Sequence, residues 1–184
     1  MTKTRVTVYF EKHFREQAKF NSKMQYLNVQ LLGLSGAAHP ALLNIKTTQE
    51  VIKLRQHIKF LTGDYLTAER LALDQGSSPR CRLCPSPLES IQHVLTQCSA
   101  TAETHRRIMP ELLNVTMQVQ PTCSILHFPT QHLTQFILDC TSINLPATHR
   151  IPAHNPRVSE VFRISRDWCY AVSKERARLL KQKK

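Results

Sequence analysis

Apolar residues recur at helical spacing through the middle of this chain. The clearest series, spaced i, i+3, i+7, consists of Val51, Leu54, Ile58 and Leu61. Thr48 before the series is a favoured N-cap, and Gly63 is expected to end the helix. A second helix is predicted over 65–75, with Asp64 as its N-cap and Gly76 at its carboxyl end, where glycine is common. The pattern therefore predicts two consecutive helices here.

Further helices are predicted on both sides of this pair. One covers 9–32, although its apolar stripe has a polar gap, and another covers 104–115 and is interrupted or restarted at Pro110. Thr130 is the expected N-cap of the next helix, whose apolar face consists of Leu133, Phe136, Ile137 and Cys140. Strand patterns are scarce, so the predicted fold class is mainly α, with little or no β-sheet.

The last predicted helix is the longest. Asn155 and Pro156 make a favourable pair of N-cap and first helical residue, whereas the prolines of 141–156 indicate a connector. The apolar stripe that follows consists of Val158, Val161, Phe162, Ser165, Trp168, Cys169, Val172 and Leu179. This periodicity predicts a helix with one face in the core or against a partner.

These elements divide the chain into four regions that we expect to form one compact domain. The division is an amino-terminal helix and linker in 1–47, a helical region in 48–107, a helix with a proline-rich connector in 108–156, and a carboxy-terminal helix in 157–184. A chain of 184 residues is within reach of a single core.

The net charge narrows the class of partner. Twenty-five Lys and Arg residues against 13 Asp and Glu residues give +12, with an isoelectric point near 9.8. Such a charge favours a polyanionic partner, for which RNA or DNA is the leading candidate. The simpler alternative is a soluble basic protein.

No apolar run approaches the length of a membrane span, and the amino terminus lacks the apolar segment of a secretory signal. We therefore expect an intracellular protein, in the nucleus, the cytoplasm or both, with no membrane partner.

The most specific chemical signal is a set of four residues in metal-ligand spacing. Cys81, Cys84, His93 and Cys98 follow the pattern C-x2-C, eight residues, H-x4-C. Three thiolates and one imidazole fill the tetrahedral coordination of one Zn²⁺ and leave no position for water, so the predicted site is a structural CCHC zinc knuckle. The alternative is a coincidence of buried thiols and a hydrogen-bonded histidine.

The local sequence also suits this site. Turn residues surround Cys81 and Cys84, and 86–89 (Ser-Pro-Leu-Glu) fits a capping box that places His93 on a helix. Cys98 is then expected at or just past the end of that helix. The other three cysteines, Cys123, Cys140 and Cys169, lie among apolar residues and are predicted to be buried.

The segment 54–107 resembles the zinc-binding segment that follows the reverse transcriptase domain of LINE-like, non-LTR retrotransposon proteins. The elements of the resemblance, in order, are Leu61-Thr62-Gly63, Gly76, Cys81, Cys84, Glu89, His93 and Cys98. The residues 136–146 and 164–171 resemble the tail of such a reading frame. The chain is accordingly expected to be a remnant or a carboxy-terminal part of such a protein.

The resemblance implies binding of RNA or target DNA beside a reverse transcriptase polypeptide. It does not imply polymerase activity here, because the four aspartates are far apart and form no adjacent metal-binding pair: Asp64, Asp74, Asp139 and Asp167. The acids are also too few for a nuclease. We therefore expect a non-enzymatic protein with no small-molecule substrate.

Basic residues are concentrated in two places. The segment 157–184 holds nine Lys and Arg residues against three acids, a net +6, and the knuckle has its own arginines. The predicted phosphate contacts are Arg80, Arg82, Arg106, Arg107, Arg163, Arg166, Lys174, Arg176 and Arg178. A solvated charged face is the competing interpretation, and the tail also fits a nuclear-import patch.

Three further hypotheses concern the last helix, the zinc site and the aromatic residues. In the first, the apolar face of the last helix, including Val161 and Phe162, docks on a protein partner. In the second, the zinc site is catalytic, which requires an open coordination position. The third adds base stacking, for which the candidates are Tyr65, Tyr170 and Trp168, with Trp168 expected to be buried.

Two histidines of the connector, His149 and His154, have no cysteine or carboxylate at ligand spacing. We interpret them as solvated loop side chains.

Overall fold

The computed structural model describes residues 25–27, 39–142 and 144–183. Within these ranges the α-helices are α1 (Thr48–Leu61), α2 (Ala68–Gln75), α3 (Ala102–Val119), α4 (Thr130–Leu138) and α5 (Val158–Gln182). Short 3₁₀ turns lie at Pro40–Leu42, Ser99–Thr101 and Ile125–His127, and a π-helical turn covers His93–Gln97. The described part of the chain contains no β-strand, which confirms the mainly-α prediction. The helix predicted over 9–32 lies outside the described residues apart from 25–27, which form a turn.

Helix α5 is the centre of the fold and packs most extensively against α1 and α3. The buried part of its predicted stripe is fully enclosed, with Val161, Phe162, Trp168, Cys169 and Val172 all at 0 % exposure. This face is therefore part of the protein's own core and is not available to a partner. Val161 and Phe162 thus present no exposed docking face here, and a protein partner for this chain stays a prediction.

The core also contains the three cysteines outside the metal motif. Cys123, Cys140 and Cys169 are each 0 % exposed, as predicted from their apolar neighbours. Burial raises the pKa of the Cys123 thiol to about 11, so it remains protonated at neutral pH.

Helix α1 packs through a face that only partly matches the predicted one, in which Leu61 is buried as predicted. Val51 and Ile58 are exposed, whereas His57 and Phe60 are fully buried. Only the last turns of α1 reach the core, where His57 Nε2 donates a hydrogen bond to the carbonyl oxygen of Leu138 at 2.8 Å. His57 is thus buried, whereas the hydrophobic periodicity predicted burial of its neighbour Ile58.

The predicted helix boundaries were close but several caps were wrong. The N-cap of α1 is Thr47, which forms a capping box with Glu50, and the N-cap of α2 is Thr67 rather than Asp64. Gly76 ends α2 with φ 65°, in the left-handed region that favours glycine.

Three of the later helices also differ from prediction. Pro110 neither interrupts nor restarts α3, which continues through it to Val119. Helix α5 begins at Val158, two residues beyond Pro156, because Asn155 Oδ1 accepts the N–H of Arg157 in a turn before the helix. Thr130 is the first helical residue of α4, and Pro129 is the N-cap.

No helix among the described residues combines the length and the apolarity needed to cross a membrane.

Candidate metal centre

The fold brings the four predicted zinc ligands together. One donor atom from each of Cys81, Cys84, His93 and Cys98 lies within 4.8 Å of all the others. The Sγ atoms of Cys81 and Cys98 are 4.0 Å apart, and Cys84 Sγ is 3.3 Å from His93 Nε2. Because His93 presents Nε2, that nitrogen is the donor available to a metal.

Cys81 and Cys84 lie on the loop between α2 and the π-helical turn, which we call the metal loop (77–90). The N–H of Cys81 donates to the carbonyl oxygen of Ser86 at 3.1 Å, which closes the loop around the two thiols. The N–H of Leu83 donates to Cys81 Sγ at 3.4 Å. Backbone donors to sulfur of this kind stabilise a thiolate and orient it toward a metal.

His93 and Cys98 are positioned by the π-helical turn. The N–H of Cys98 donates to the carbonyl oxygen of His93 at 2.8 Å, an i to i+5 hydrogen bond. This wider turn places Cys98 at the end of the helical segment, where it was expected, and directs both side chains to one point. A regular α-helix would rotate residues five apart by about 140°, away from a common point.

The predicted capping box at 86–89 is not formed. These residues are not helical, and Ser90 instead supplies the cap, since its Oγ accepts the N–H of His93 at 3.1 Å. Glu89 is fully buried and has different partners: its Oε1 accepts the N–H of Ala68 at 2.9 Å and a hydrogen bond from Arg176 Nη2 at 2.5 Å.

Glu89 therefore stabilises the metal loop, a role that the sequence pattern did not predict. Its backbone N–H donates to the carbonyl oxygen of Pro79 at 2.8 Å, so it also holds the two ends of the metal loop together. The sequence signal for this role is that Glu89 is one of the elements of the resemblance. A capping motif at 86–89 explained the same residue more simply.

The donor set and its dimensions fit a tetrahedral Zn²⁺. Two sulfurs bound to one Zn²⁺ at the usual Zn–S distance lie about 3.8 Å apart, close to the separation of Cys81 and Cys98. Three sulfurs and one imidazole nitrogen are also the donors that this ion prefers. Four protein donors would complete the coordination of this ion, as they do in structural zinc sites.

The pKa values of the four candidate ligands reflect their burial and their hydrogen bonds. Burial raises the pKa of Cys81 and of Cys98 above the usual range of a thiol. The pKa of Cys84 is lowered: burial acts to raise it, but hydrogen bonds from the Ser86 backbone and from the other two thiols outweigh that effect. Burial also lowers the pKa of His93, which favours the neutral imidazole that binds metals.

The predicted phosphate contacts divide into two groups. Arg166 is 2 % exposed and donates to the carbonyl oxygen of Ala41 at 3.0 Å, while Arg176 is held by Glu89 and lies over the ring of Tyr65. Arg166 is therefore enclosed, whereas the Arg176 side chain is 14 % exposed, and a nucleic-acid contact stays a prediction for both residues. The residues that remain exposed are Arg80, Arg82, Arg106, Arg107, Arg163, Lys174 and Arg178.

Several of the exposed cations have acidic partners. Arg106 pairs with Glu103 at 2.8 Å, and Arg178 pairs with Glu175 at 2.7 Å. Arg163 contacts both Glu111 and Asp167. Within 39–142 and 144–183, no ion pair is formed by Arg80, Arg82, Arg107 or Lys174.

A basic groove lies where the metal loop meets the end of α5. Its lining consists of Arg82, Ala177, Leu180, Lys181 and Lys183. Lys183 Nζ donates to the carbonyl oxygen of Arg82 at 2.8 Å, which ties the helix end to the metal loop. The lining contains three cations and no acid. Lys181 and Lys183 belong to the basic tail of the sequence but are not among the predicted phosphate contacts.

The aromatic candidates and the connector histidines occupy different environments. Tyr65 is buried and stacks on Phe60 with ring centroids 3.8 Å apart, and Trp168 is buried as predicted. Tyr170 is partly exposed. His149 is not fully solvated, because its ring stacks on Phe128 at 4.0 Å.

Comparisons of the chain with known protein families, with curated proteins and with solved structures found no match.

Proposed function

We propose that this protein is a non-catalytic module, stabilised by one structural Zn²⁺, that binds the phosphate backbone of RNA or DNA. The observation that carries the proposal is the basic groove, in which Arg82 of the metal loop and Lys181 and Lys183 at the carboxyl end of α5 converge without an acidic residue in the lining. The metal centre would hold Arg82 in place through Cys81 and Cys84 on either side of it.

The chemistry of the groove suits a phosphate backbone. The Arg82 guanidinium offers a planar set of donors that matches phosphate oxygens, and the lysine ammonium groups act as point charges. Ala177 and Leu180 supply an apolar floor that sugar rings can contact. The two lysines also offset the partial negative charge at the carboxyl end of α5, which would otherwise repel a phosphate.

Two further observations support the proposal. The net charge of +12 favours association with a polyanion in general. The resemblance of 54–107 to the zinc-binding segment of LINE-like proteins agrees with element RNA or target DNA as the ligand and with a reverse transcriptase polypeptide as a neighbour. A nuclear or cytoplasmic location follows from the same role.

Salt-dependent binding tests the proposal. The affinity of the zinc-loaded protein for a labelled oligonucleotide should fall linearly on a log–log plot against salt, with a slope of about 0.7 per phosphate neutralised on a single strand and about 0.9 on a duplex. Replacing Arg82, Lys181 and Lys183 together by Gln should reduce that slope by about two to three. The matched control is Lys46→Gln, which removes an exposed lysine outside the groove. Absent binding, a salt-independent affinity or an unchanged slope in the triple variant would each contradict the proposal.

A further inference from the structure

The basic groove shares lining residues with a series of hollows along α5. A second hollow adjoins it and is lined by Gln56, Tyr65, Tyr170, Ser173, Lys174 and Ala177. A third, of about 730 Å³, lies between α1, α3 and α5, and its lining includes Lys53, Arg107, Tyr170 and Lys174. Ala177 is shared by the first two hollows, and Tyr170 and Lys174 by the last two. We call the three together the α5 trough.

The trough follows one face of the helix. Tyr170, Lys174, Ala177 and Lys181 are spaced i, i+4, i+7, i+11, so they lie in a row along α5. At 1.5 Å per residue the row is about 16 Å long. At about 3.4 Å per stacked base this length accommodates about three to five nucleotides.

Cations lie along the whole length of this row. Arg82, Lys181 and Lys183 stand at the metal-loop end, Lys174 in the middle, and Arg107 at the far end. Neither Arg107 nor Lys174 forms an ion pair with another residue of the described ranges. Arg107 does lie near Glu175, whose pKa is lowered mainly by Arg178 and to a smaller extent by Arg107.

The lining at the far end of the trough also contains three acids, Glu103, Asp167 and Glu175, each of which is paired with a cation. Glu103 pairs with Arg106 at 2.8 Å. Asp167 contacts Lys53 Nζ at 2.5 Å, and Glu175 accepts two hydrogen bonds from Arg178, at 2.7 and 2.9 Å. A phosphate near Arg107 therefore meets paired carboxylates rather than free ones.

Tyr170 decides which class of nucleic acid fits. It is partly exposed and lines two adjoining hollows, with Lys174 one turn farther along the same face. An aromatic ring between cations is the arrangement on which unpaired bases stack, whereas the bases of a duplex are already stacked on each other. Tyr65 is too enclosed for this role, since it stacks on Phe60.

We infer that the α5 trough binds single-stranded nucleic acid, with the backbone along Lys181, Lys174 and Arg107 and an unpaired base on the ring of Tyr170. This inference rests on the proposed function and specifies its ligand. RNA and DNA strands present the same phosphates and base faces to the trough, so both are ligands of this class.

The test compares one mixed-sequence oligonucleotide, as RNA and as DNA, with the same oligonucleotide annealed to its complement. The zinc-loaded protein should bind at least one single strand more tightly than either duplex. Tyr170→Ala should weaken single-strand binding about 5- to 100-fold, the usual effect of losing one stacked base. Tyr170→Phe should retain most of the affinity because it keeps the aromatic ring. Tyr170→Leu should lose affinity because leucine has no ring on which a base can stack.

The salt slope supplies an independent measurement. Lys174→Gln should lower the single-strand slope by about 0.7, whereas Lys46→Gln should leave it unchanged. Thermal unfolding of each variant establishes that the fold is retained.

The outcomes separate this inference from the proposed function. If duplexes bind as tightly as single strands, or if Tyr170→Ala and Tyr170→Phe bind equally, the single-strand assignment is overturned while phosphate binding stands. If neither form binds, both are overturned.

Discussion

Arg176 donates a hydrogen bond to the buried carboxylate of Glu89 at 2.5 Å and thereby joins the metal loop to α5. The two residues are 87 positions apart in the sequence. The same carboxylate oxygen accepts the N–H of Ala68 at the start of α2, and the Arg176 guanidinium lies 5.7 Å from the centre of the Tyr65 ring. One ion pair thus connects the segment that carries the metal ligands with the helix that carries the α5 trough.

Breaking this pair should destabilise the protein strongly. Arg176→Met leaves the Glu89 carboxylate buried without its cation, which costs about 3 to 5 kcal/mol in comparable sites. The double variant Glu89→Gln/Arg176→Met should be more stable than Arg176→Met alone, because no uncompensated charge remains. Urea unfolding monitored by circular dichroism measures both.

The exposed Arg178–Glu175 pair on the same helix is the control for this experiment. Arg178→Met should barely change the unfolding midpoint, since solvent screens that pair. Equal losses from Arg176→Met and Arg178→Met would contradict a structural role for the buried pair.

Metal content should depend on Cys84 but not on a core cysteine. The purified protein should hold one Zn²⁺ per chain, and Cys84→Ser should lose it together with on the order of several kcal/mol of stability. Cys123→Ser is the matched control, because Cys123 lies outside the cluster and a serine there can donate to the same carbonyl oxygen, that of His149. Elemental analysis after exhaustive dialysis gives the stoichiometry. Retention of the metal by Cys84→Ser would contradict the assignment of the ligands.

The single tryptophan should report on the metal centre. Trp168 is fully buried, and its Nε1 donates to the carbonyl oxygen of Leu95 at 3.0 Å, inside the π-helical turn that presents His93 and Cys98. Removal of the metal by a chelator should loosen this turn and shift the fluorescence emission to longer wavelength. In Cys84→Ser the same chelator should cause no shift. Loss of zinc from the unaltered protein without a change in emission would show that the turn holds its shape alone.

Acid should destabilise the protein partly through His57. Complete burial lowers its pKa to about 4. Between that value and the pKa of about 6.5 in the unfolded chain, only the unfolded state binds the proton, so stability is full above about pH 6.5 and is lost as the pH falls toward 4. At pH 5 the loss amounts to about 2 kcal/mol.

A conservative substitution tests this assignment. His57→Gln can still donate to the carbonyl oxygen of Leu138 but does not titrate, so unfolding free energies measured at pH 7 and pH 5 should differ less in this variant than in the unaltered protein. Equal differences in the two proteins would assign the acid sensitivity to other groups.

The sequence predicted the four candidate ligands but not the contacts that surround them, and the difference has a physical reason. The ligand set could be predicted because metal coordination needs particular donor types at short spacing, and all four lie within 18 consecutive residues, 81–98. Helix periodicity and the cysteine environments are likewise local, and they predicted the mainly-α fold and the burial of Cys123, Cys140 and Cys169. The prediction of a capping box at 86–89 was wrong. Glu89 fits the local motif, but its carboxylate binds distant partners, Ala68 and Arg176, instead.

The sequence by itself therefore determined the helical class, the basic charge and the four candidate ligands, since each depends on composition or on neighbouring positions. Only the tertiary structure decided which charges face solvent. Arg166 and Arg176 are indistinguishable from Arg82 and Lys174 in a list of basic residues, but Arg166 is buried against Ala41, and Arg176 is paired with the buried Glu89 and only 14 % exposed. The meeting of the metal loop with the end of α5, which forms the basic groove, depends on contacts between residues about 100 positions apart, such as Lys183 and Arg82.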